Sequence, residues 1–293
     1  MLKKIFSIAG LLCIGALAAC AGTVGAGDLT DEQVAEVEFE SEAVVLAPES
    51  FEPSFGTVAG GDLDIMQATL PQPGDTIVIL HTNMGDVTLR FFPEETPVAY
   101  ENFVTHARDG YYDGVIFHRV IEGFMIQGGD PQGTGMGGES IWGHGFGPEY
   151  SDHLRHFRGA VGMAQSALPD SIGSQFYIVH NNQLDPGMRE EFQWAYENQD
   201  EFLGEDYDGA RVYVRDLYSL DMIEAYFRYG GTPFLDLSMS QTGHTIFAQV
   251  IDGMDVVDAI AVVETDGNPP EGANRPLEEV IIERVTVTTY PEN

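Results

Sequence analysis

The 293-residue sequence is poor in basic residues, with 13 lysines and arginines against 47 aspartates and glutamates and a formal net charge of −34. Lysine occurs only as Lys3 and Lys4, so every other basic side chain is an arginine. A polyanion of this kind is repelled by nucleic-acid phosphates and by anionic headgroups. The composition therefore argues against nucleic acid as a partner, and it fits either a high-salt habitat or a solubilising surface.

Cysteine is also scarce, and both cysteines lie near the N-terminus, at Cys13 and Cys20. Cys13 falls in an apolar segment that we expect to be removed, which leaves Cys20 as the one cysteine of the predicted mature chain. We therefore expect the folded part to contain no disulfide, no thiol nucleophile and no zinc–thiolate site.

The first twenty residues have the pattern of an export signal. Two lysines precede an apolar segment, residues 5–17, that is short for a membrane span. We predict a signal peptide over residues 1–19. The sequence Leu-Ala-Ala-Cys ending at Cys20 resembles the lipobox of bacterial lipoproteins, which implies lipidation of the Cys20 thiol, the lipid bilayer as a partner and an extracytoplasmic position. The alternative is an ordinary secretory signal with an incidental cysteine.

Residues 20–72 are predicted to be a lipidated, acidic and flexible tether. No lysine or arginine occurs between Cys20 and Arg90, and glycine, proline and serine interrupt the stretch. Such a spacer holds a domain roughly 40 Å from its anchor. We place the folded domain at residues 73–293.

The folded part alternates short β-rich segments with turns. Eight strands are predicted, at residues 76–80, 87–92, 115–120, 124–128, 160–165, 175–179, 245–250 and 280–289. One helix is expected to start at Pro97, and a second covers residues 255–262. This order is mainly β and predicts an antiparallel barrel with helices over its open ends.

Residues 181–231 interrupt the β pattern and are predicted to form a helical insertion. An apolar stripe at helical spacing supports this prediction and consists of Val214, Tyr218, Met222, Ala225 and Tyr229. The stripe favours a lid packed on the barrel. A substrate-selecting insertion is the other interpretation, and the two are compatible.

The sequence FHRVIEGFMIQGGD, residues 117–130, closely resembles the central signature of the cyclophilins. Further segments follow in the family's order, at residues 133–138, 173–176 and 253–257, and the resemblance spans about residues 75–290 outside the insertion. It implies a closed barrel of eight antiparallel strands capped by two helices. It also implies a peptidyl-prolyl cis–trans isomerase that needs no cofactor and no metal.

The resemblance assigns roles to individual residues. Arg119 matches the catalytic arginine and Gln127 the glutamine that orients it. Residues matching the substrate site fall into three groups: a proline-pocket wall, a surface for the peptide main chain, and a far rim. They are respectively Phe124, Met125 and Tyr177; Ala164, Gln165 and Gln175; and Phe234, Leu235 and His244.

These residue types suit the reaction. Rotation about an X-Pro bond is opposed by amide resonance, with a barrier of about 18–20 kcal/mol, and no bond is made or broken. The site needs an apolar pocket for the proline ring and a fixed donor that favours a pyramidal proline nitrogen. A guanidinium is permanently charged and is a rigid multiple donor.

The sequence departs from the family pattern at four site residues. Tyr177 replaces the more common phenylalanine, and Gln165 replaces an asparagine seen in many members. Phe234 stands where many eukaryotic members have tryptophan, so we expect weaker binding of cyclosporin. His244 follows a longer loop than usual, and an extra turn in that loop would move it out of the pocket.

Other signals are given structural interpretations. The glycine pattern at residues 133–138 satisfies G-x-G-x-x-G, but no helix is expected after it, which argues against nucleotide binding. His153 and His156 are predicted to be solvated loop histidines rather than metal ligands. The acidic turn at residues 205–209 lacks the ligand spacing of an EF-hand. His118 is predicted to be a structural core residue.

The sequence thus favours an extracytoplasmic foldase that acts on X-Pro bonds of secreted or surface proteins, with proline-containing polypeptides as partners and a monomeric state. The alternative is a peptide-binding chaperone or adhesin module whose isomerase activity is weak or incidental. The insertion at residues 181–231 motivates this second hypothesis.

Overall fold

The structure of the protein is a computed structural model that describes residues 63–205, 209–236, 243–268 and 272–291. The described residues all belong to one compact unit of the chain. The predicted signal peptide, Cys20 and most of the predicted tether lie outside the described residues.

Most of the described chain is organised by β-strands. They are β1 (Thr76–Thr82), β2 (Gly85–Phe91), β3 (Val115–Ile116), β4 (Arg119–Ile121), β5 (Met125–Gly128), β6 (Ala160–Met163), β7 (Phe176–Val179), β8 (Phe202–Glu205), β9 (Arg211–Tyr213), β10 (Ile246–Asp252) and β11 (Ile281–Thr289). Helices are fewer. They are α1 (Pro97–Arg108), α2 (Pro186–Glu197), α3 (Val214–Leu217), α4 (Leu220–Tyr229) and α5 (Met254–Ala261), with 3₁₀ turns at Met66–Ala68 and Pro233–Leu235.

Nine strands form one antiparallel sheet in the order β3-β11-β1-β2-β10-β6-β7-β5-β4, and β8 and β9 form a separate hairpin. The mainly β, antiparallel prediction is confirmed. The prediction of one strand at residues 115–120 is wrong, because this stretch forms two short strands with different partners. Ile116 lies opposite Ile281 in β11, whereas Val120 lies opposite Ile126 in β5.

The two edges of the sheet are close in the chain, since only Phe117 and His118 separate β3 from β4. Phe117 is fully buried, and its backbone N–H donates to the carbonyl of Val280 at 2.9 Å. Among the described strands no ladder joins β3 to β4 directly. The sheet is therefore curled with its ladder open, and the predicted closed barrel of eight strands does not follow from this pairing.

The main core lies between the sheet and helices α1 and α5. Phe103 of α1 packs edge-on against Phe176 of β7, with ring centroids 5.3 Å apart, and also contacts Phe247 of β10. Helix α1 begins at Pro97, as predicted, and the Glu149 carboxylate accepts hydrogen bonds from two N–H groups of its first turn. A carboxylate here satisfies donors that have no partner within the helix and also complements the helix dipole.

The insertion at residues 181–231 forms its own apolar cluster. Tyr226 and Ile223 of α4 and Phe192 of α2 are fully buried in it, together with Phe157 from the segment before β6. The predicted apolar stripe is divided between α3 and α4, because the Ser219 side chain caps the N-terminus of α4. The hairpin β8–β9 within this segment is not a helical element and was not predicted.

The end of the predicted tether also packs on the domain. Ile65 joins the insertion's cluster, and Gln67 is 1% exposed. The Gln67 side chain donates to the carbonyl of Arg155 and to the side chain of Gln249, both at 2.9 Å, and accepts from the Arg155 N–H. Residues 63–69 therefore belong to the folded part, and the boundary predicted at residue 72 lies too late. Composition alone did not distinguish this packed stretch from a spacer.

Candidate functional site

The hairpin of β4 and β5 carries the polar part of the site. Arg119 lies directly opposite Gln127 in the register, and Gln127 lies opposite Tyr177 of β7. Residues directly opposite one another in antiparallel strands project from the same face, and so do residues two apart in one strand. Arg119, Met125, Gln127 and Tyr177 therefore share one face of the sheet.

A relay of hydrogen bonds fixes these polar groups. An Arg119 guanidinium nitrogen (Nη1) donates to Gln127 Oε1 at 3.3 Å. The Gln127 amide donates to Gln175 Oε1 at 2.9 Å, and the Gln175 amide donates to the carbonyl of Gly137 at 2.8 Å. Each amide has one donor and one acceptor engaged, so the relay holds the guanidinium in a defined orientation.

An apolar wall lies beside this relay. Met125 and Tyr177 are buried in a cluster that Phe124, Ala164 and Leu235 border as partly buried side chains. The Phe124 ring lies 5.6 Å from the ring of Phe234, which is 46% exposed at the outer edge. The wall thus combines a buried floor with a solvent-facing rim.

Tyr177 contributes its ring to the wall and its hydroxyl to a buried partner. The Tyr177 oxygen lies 2.7 Å from His156 Nε2. Burial, followed by the negative charge of Asp236, raises the pKa of Tyr177 well above its usual value, so the hydroxyl stays protonated. The structure accommodates tyrosine at this position because the residue opposite it is Gly162.

His244 reaches the wall despite its longer preceding loop, of which residues 237–242 are outside the described part. Its backbone N–H donates to the carbonyl of Leu235 at 3.1 Å, and its ring lies 6.2 Å from the ring of Tyr177. Burial, with a smaller effect of nearby His156, lowers the pKa of His244 to about 4. The imidazole is therefore neutral at neutral pH.

The remaining residues implied by the resemblance lie on the adjoining edge. The Ala164 N–H donates to the carbonyl of Gln175 at 2.9 Å, which joins the ends of β6 and β7. The Gln165 amide donates to the carbonyl of Gly243 at 3.3 Å, next to His244. All eleven substrate-site and catalytic residues proposed from the sequence thus lie in one connected region.

Two histidines were predicted to be solvated, and this is wrong for one of them. His153 is exposed, whereas His156 is 1% exposed with both ring nitrogens engaged, one by Tyr177 and the other by Asp236. No sequence pattern indicates this burial, because Asp236 lies eighty residues away along the chain. Asp236 and its partner Tyr226 were likewise missed.

The other signals that were given structural interpretations lie in loops and in the core. The glycine-rich stretch after Gly133 wraps the carboxylate of Asp130, which accepts four backbone hydrogen bonds. No group of three histidine, cysteine or acidic side chains within the described ranges could hold a metal ion. His118 is buried, and burial lowers its pKa. Residues 206–208 of the acidic turn are not among those described.

Comparison with known proteins agrees with this geometry. The family model described as "Cyclophilin type peptidyl-prolyl cis-trans isomerase/CLD" matches residues 77–287. A protein of Staphylococcus aureus (strain USA300) named "Putative peptidyl-prolyl cis-trans isomerase" is 42% identical over 216 residues, which cover 74% of this chain and 93% of that protein. A Staphylococcus epidermidis protein of the same name is 41% identical over 217 residues.

Among solved structures, a cyclophilin type peptidyl-prolyl cis-trans isomerase of Cryptosporidium parvum, crystallised in the presence of the dipeptide Ala-Pro, superposes with a TM-score of 0.50 at 28% identity. The match covers 73% of this chain and 99% of that one. With the guanidinium relay and the apolar wall side by side on one sheet face, these matches show that the chain belongs to the cyclophilin-type peptidyl-prolyl cis–trans isomerases and is an isomerase of X-Pro peptide bonds.

Proposed function

We propose that this isomerase is a lipoprotein held by Cys20 on the extracytoplasmic face of the cell membrane, where it isomerises X-Pro bonds of secreted or surface proteins. The N-terminal pattern of two lysines, an apolar segment and Leu-Ala-Ala-Cys supports the anchor. The described residues include no helix that is long and apolar enough to cross a membrane.

The observation that carries the catalytic assignment is the arrangement of Arg119 beside the wall of Met125 and Tyr177. A proline ring seated on this wall places its imide nitrogen near the guanidinium. A hydrogen bond to that nitrogen favours the pyramidal form with a localised lone pair, which removes amide resonance and lowers the rotational barrier. Gln127 keeps the donor oriented, so little reorganisation is needed when the bond twists.

The other residues are assigned to binding. Phe124 and Leu235 complete the pocket for the proline ring. Gln165 and Gln175, with Ala164 at the strand end, lie where an extended peptide main chain would run. Phe234 and the neutral imidazole of His244 form the rim. This arrangement accepts extended segments, which are the form in which unfolded polypeptides present proline.

The experiment that tests the catalytic assignment is the change Arg119→Ala in the full-length protein. We expect kcat/KM for a proline-containing peptide to fall by about 10²-fold or more, the usual effect of removing a preorganised donor. Arg284→Ala is the matched control, because Arg284 is exposed on β11 and its guanidinium donates to Thr286. Circular dichroism checks that both variants are folded. Wild-type activity in Arg119→Ala would refute the mechanism.

The anchor is tested separately with Cys20→Ala. We expect the wild-type protein to incorporate radiolabelled fatty acid and to sediment with membranes. The variant is expected to do neither. Equal membrane association of the two proteins would refute lipid anchoring while leaving the isomerase assignment unaffected.

The finer architecture belongs to the same proposal. We infer that β3 and β4 act as one bent strand, which reduces nine strands to eight and closes the barrel beneath α1 and α5. The short connection through Phe117 and His118 supports this inference. Amide hydrogen exchange tests it, since an unpaired edge would exchange fast along one side of residues 115–121.

We also propose that the protein is a monomer, which sedimentation equilibrium checks.

A further inference from the structure

The carboxylate of Asp236 is held by donors from two separate parts of the chain. One oxygen accepts from the His156 backbone N–H at 2.8 Å and lies 2.7 Å from His156 Nδ1. The other accepts from the hydroxyl of Tyr226, which is fully buried on helix α4 of the insertion. Asp236 directly follows Leu235, so the group these donors hold is attached to the rim of the pocket.

His156 extends this arrangement to the pocket wall. The Asp236 carboxylate accepts from Nδ1, which leaves Nε2 as the acceptor for the protonated hydroxyl of Tyr177. A continuous chain of hydrogen bonds therefore runs from Tyr226 through Asp236 and His156 to Tyr177. It connects the insertion with both the floor and the rim of the proline pocket.

The base of the insertion is attached to the same segment. The Thr232 N–H donates to the carbonyl of His156 at 2.8 Å, and the Arg158 N–H donates to the carbonyl of Gly230 at 3.3 Å. The Phe157 ring lies 4.5 Å from the ring of Tyr226. Movement of α4 relative to the sheet is therefore transmitted to His156 and Asp236 rather than absorbed by a flexible joint.

The polar relay of the site lies outside this chain. Gln127 and Gln175 are held by one another, by Arg119 and by the carbonyl of Gly137, and none of the hydrogen bonds described for these two glutamines involves the insertion. A disturbance of Asp236 should therefore change how the proline ring and rim fit together and leave the twisting step itself intact.

We propose that Tyr226 is a positioning residue through which the insertion sets the affinity of the proline pocket for its peptide. The proposal rests on the assignment of Tyr177 and Leu235 to that pocket. The negative charge of Asp236 is partly buried, with its side chain 13% exposed, and such a group depends on its donors to keep one position. Without the Tyr226 hydroxyl, the carboxylate and the turn that carries Leu235 are less well fixed.

The test compares Tyr226→Phe with Tyr218→Phe in the full-length protein. The control removes a hydroxyl of the same insertion, one that donates to Glu191 at 3.3 Å and does not reach Asp236. We expect Tyr226→Phe to raise KM for an X-Pro peptide about fivefold, the effect of one typical buried hydrogen bond, with kcat unchanged. Tyr218→Phe is expected to leave both constants at their wild-type values.

A double-mutant cycle checks the route. If the effect passes along the chain to the wall, the increases in KM caused by Tyr226→Phe and Tyr177→Phe will not multiply when the changes are combined. Thermal unfolding of all variants is measured in parallel. A lowered midpoint with wild-type KM, or a fall in kcat alone, would overturn the positioning role. Either outcome is distinguishable from failure of the proposed catalytic site, which is judged by Arg119→Ala in the wild-type background.

Discussion

Gly162 shows how one absent side chain makes room for the tyrosine of the pocket. It lies opposite Tyr177 in the ladder of β6 and β7, and a Cβ atom at this position would come within 2.4 Å of the tyrosine Cζ and Oη atoms. The ring cannot retreat, because its hydroxyl is bound by His156. The glycine is therefore needed for space rather than for an unusual backbone conformation.

We predict that Gly162→Ala displaces the Tyr177 ring and breaks its hydrogen bond. The expected results are a higher KM and a loss of about 1–3 kcal/mol in the free energy of unfolding, typical of an overpacked core. Peptide kinetics and urea denaturation measure these quantities. Gly187→Ala in α2 is the control, where the added methyl meets only the Asp185 side chain at 3.3 Å. Equal stability of Gly162→Ala and wild type would contradict the assigned packing.

Phe234 provides a second test at the residue scale. Its ring lies tilted at 34° to the ring of Phe124 and is half exposed, with no hydrogen-bond donor where an indole N–H would offer one. We predict that Phe234→Trp strengthens inhibition by cyclosporin, measured as a lower inhibition constant in the peptide assay. The change Trp194→Phe, at another half-exposed aromatic in the insertion, is the control. An unchanged constant for Phe234→Trp would show that the missing donor does not limit binding.

The site residues differ in how far the sequence reveals them. Arg119, Phe124, Met125 and Gln127 fall within one fourteen-residue stretch, and their order is itself informative. His156, Asp236 and Tyr226 carry no such pattern, because the folded chain brings them together from three segments. An isolated histidine in a polar stretch is usually solvated. His156 links Asp236 to Tyr177 only because tertiary packing buries it.

At the scale of elements, the hairpins and helices α1 and α5 follow from alternation, turn residues and the Pro97 start. The break at Phe117 and His118 could not be predicted in this way. The residues on either side of it are equally β-rich, and the local sequence does not show which strand each side pairs with. The packed segment around Gln67 also escaped prediction. Gln67 has apolar neighbours at Ile65, Met66 and Leu70, but the acidic stretch interrupted by glycine and proline around it is typical of a spacer. The burial of Gln67 depends on partners far along the chain.

The N-terminal segment accordingly gives a prediction for Gln67→Ala. Loss of this side chain removes one hydrogen-bond partner from the side chain of Gln249 and one from each of the N–H and carbonyl groups of Arg155. We expect the free energy of unfolding to fall by about 1–3 kcal/mol. Gln72→Ala, at an exposed position a few residues later, is the matched control in urea denaturation. Equal effects of the two changes would mean that the segment does not stabilise the domain.

At the scale of the whole molecule, acid stability reflects several buried histidines. Burial is the largest influence on His106, His118, His180 and His244, and it lowers the pKa of each. Between the usual histidine pKa near 6.5 and the lowered folded value, the unfolded chain binds protons that the folded protein does not. The contribution of these histidines to the free energy of unfolding is therefore fully present above about pH 6.5 and is lost as the pH falls toward 4.

We predict that His244 alone accounts for about 2 kcal/mol of this loss between pH 7.5 and pH 5. His244→Gln should therefore be relatively more stable at pH 5 than at pH 7.5 when each is compared with wild type by urea denaturation. Taking the difference between the two proteins cancels the change in repulsion among the 47 acidic residues. A difference that does not depend on pH would contradict the neutral, partly buried state of His244.

The insertion leaves the sheet shortly after Tyr177 and returns just before Phe234, so both of its ends border the proline pocket. The residues assigned to the twisting step, Arg119 and Gln127, both precede it in the chain. If the proposed coupling through Tyr226 holds, grafting another segment between residues 181 and 231 would change the affinity of the pocket for its peptide and leave Arg119 and Gln127 untouched.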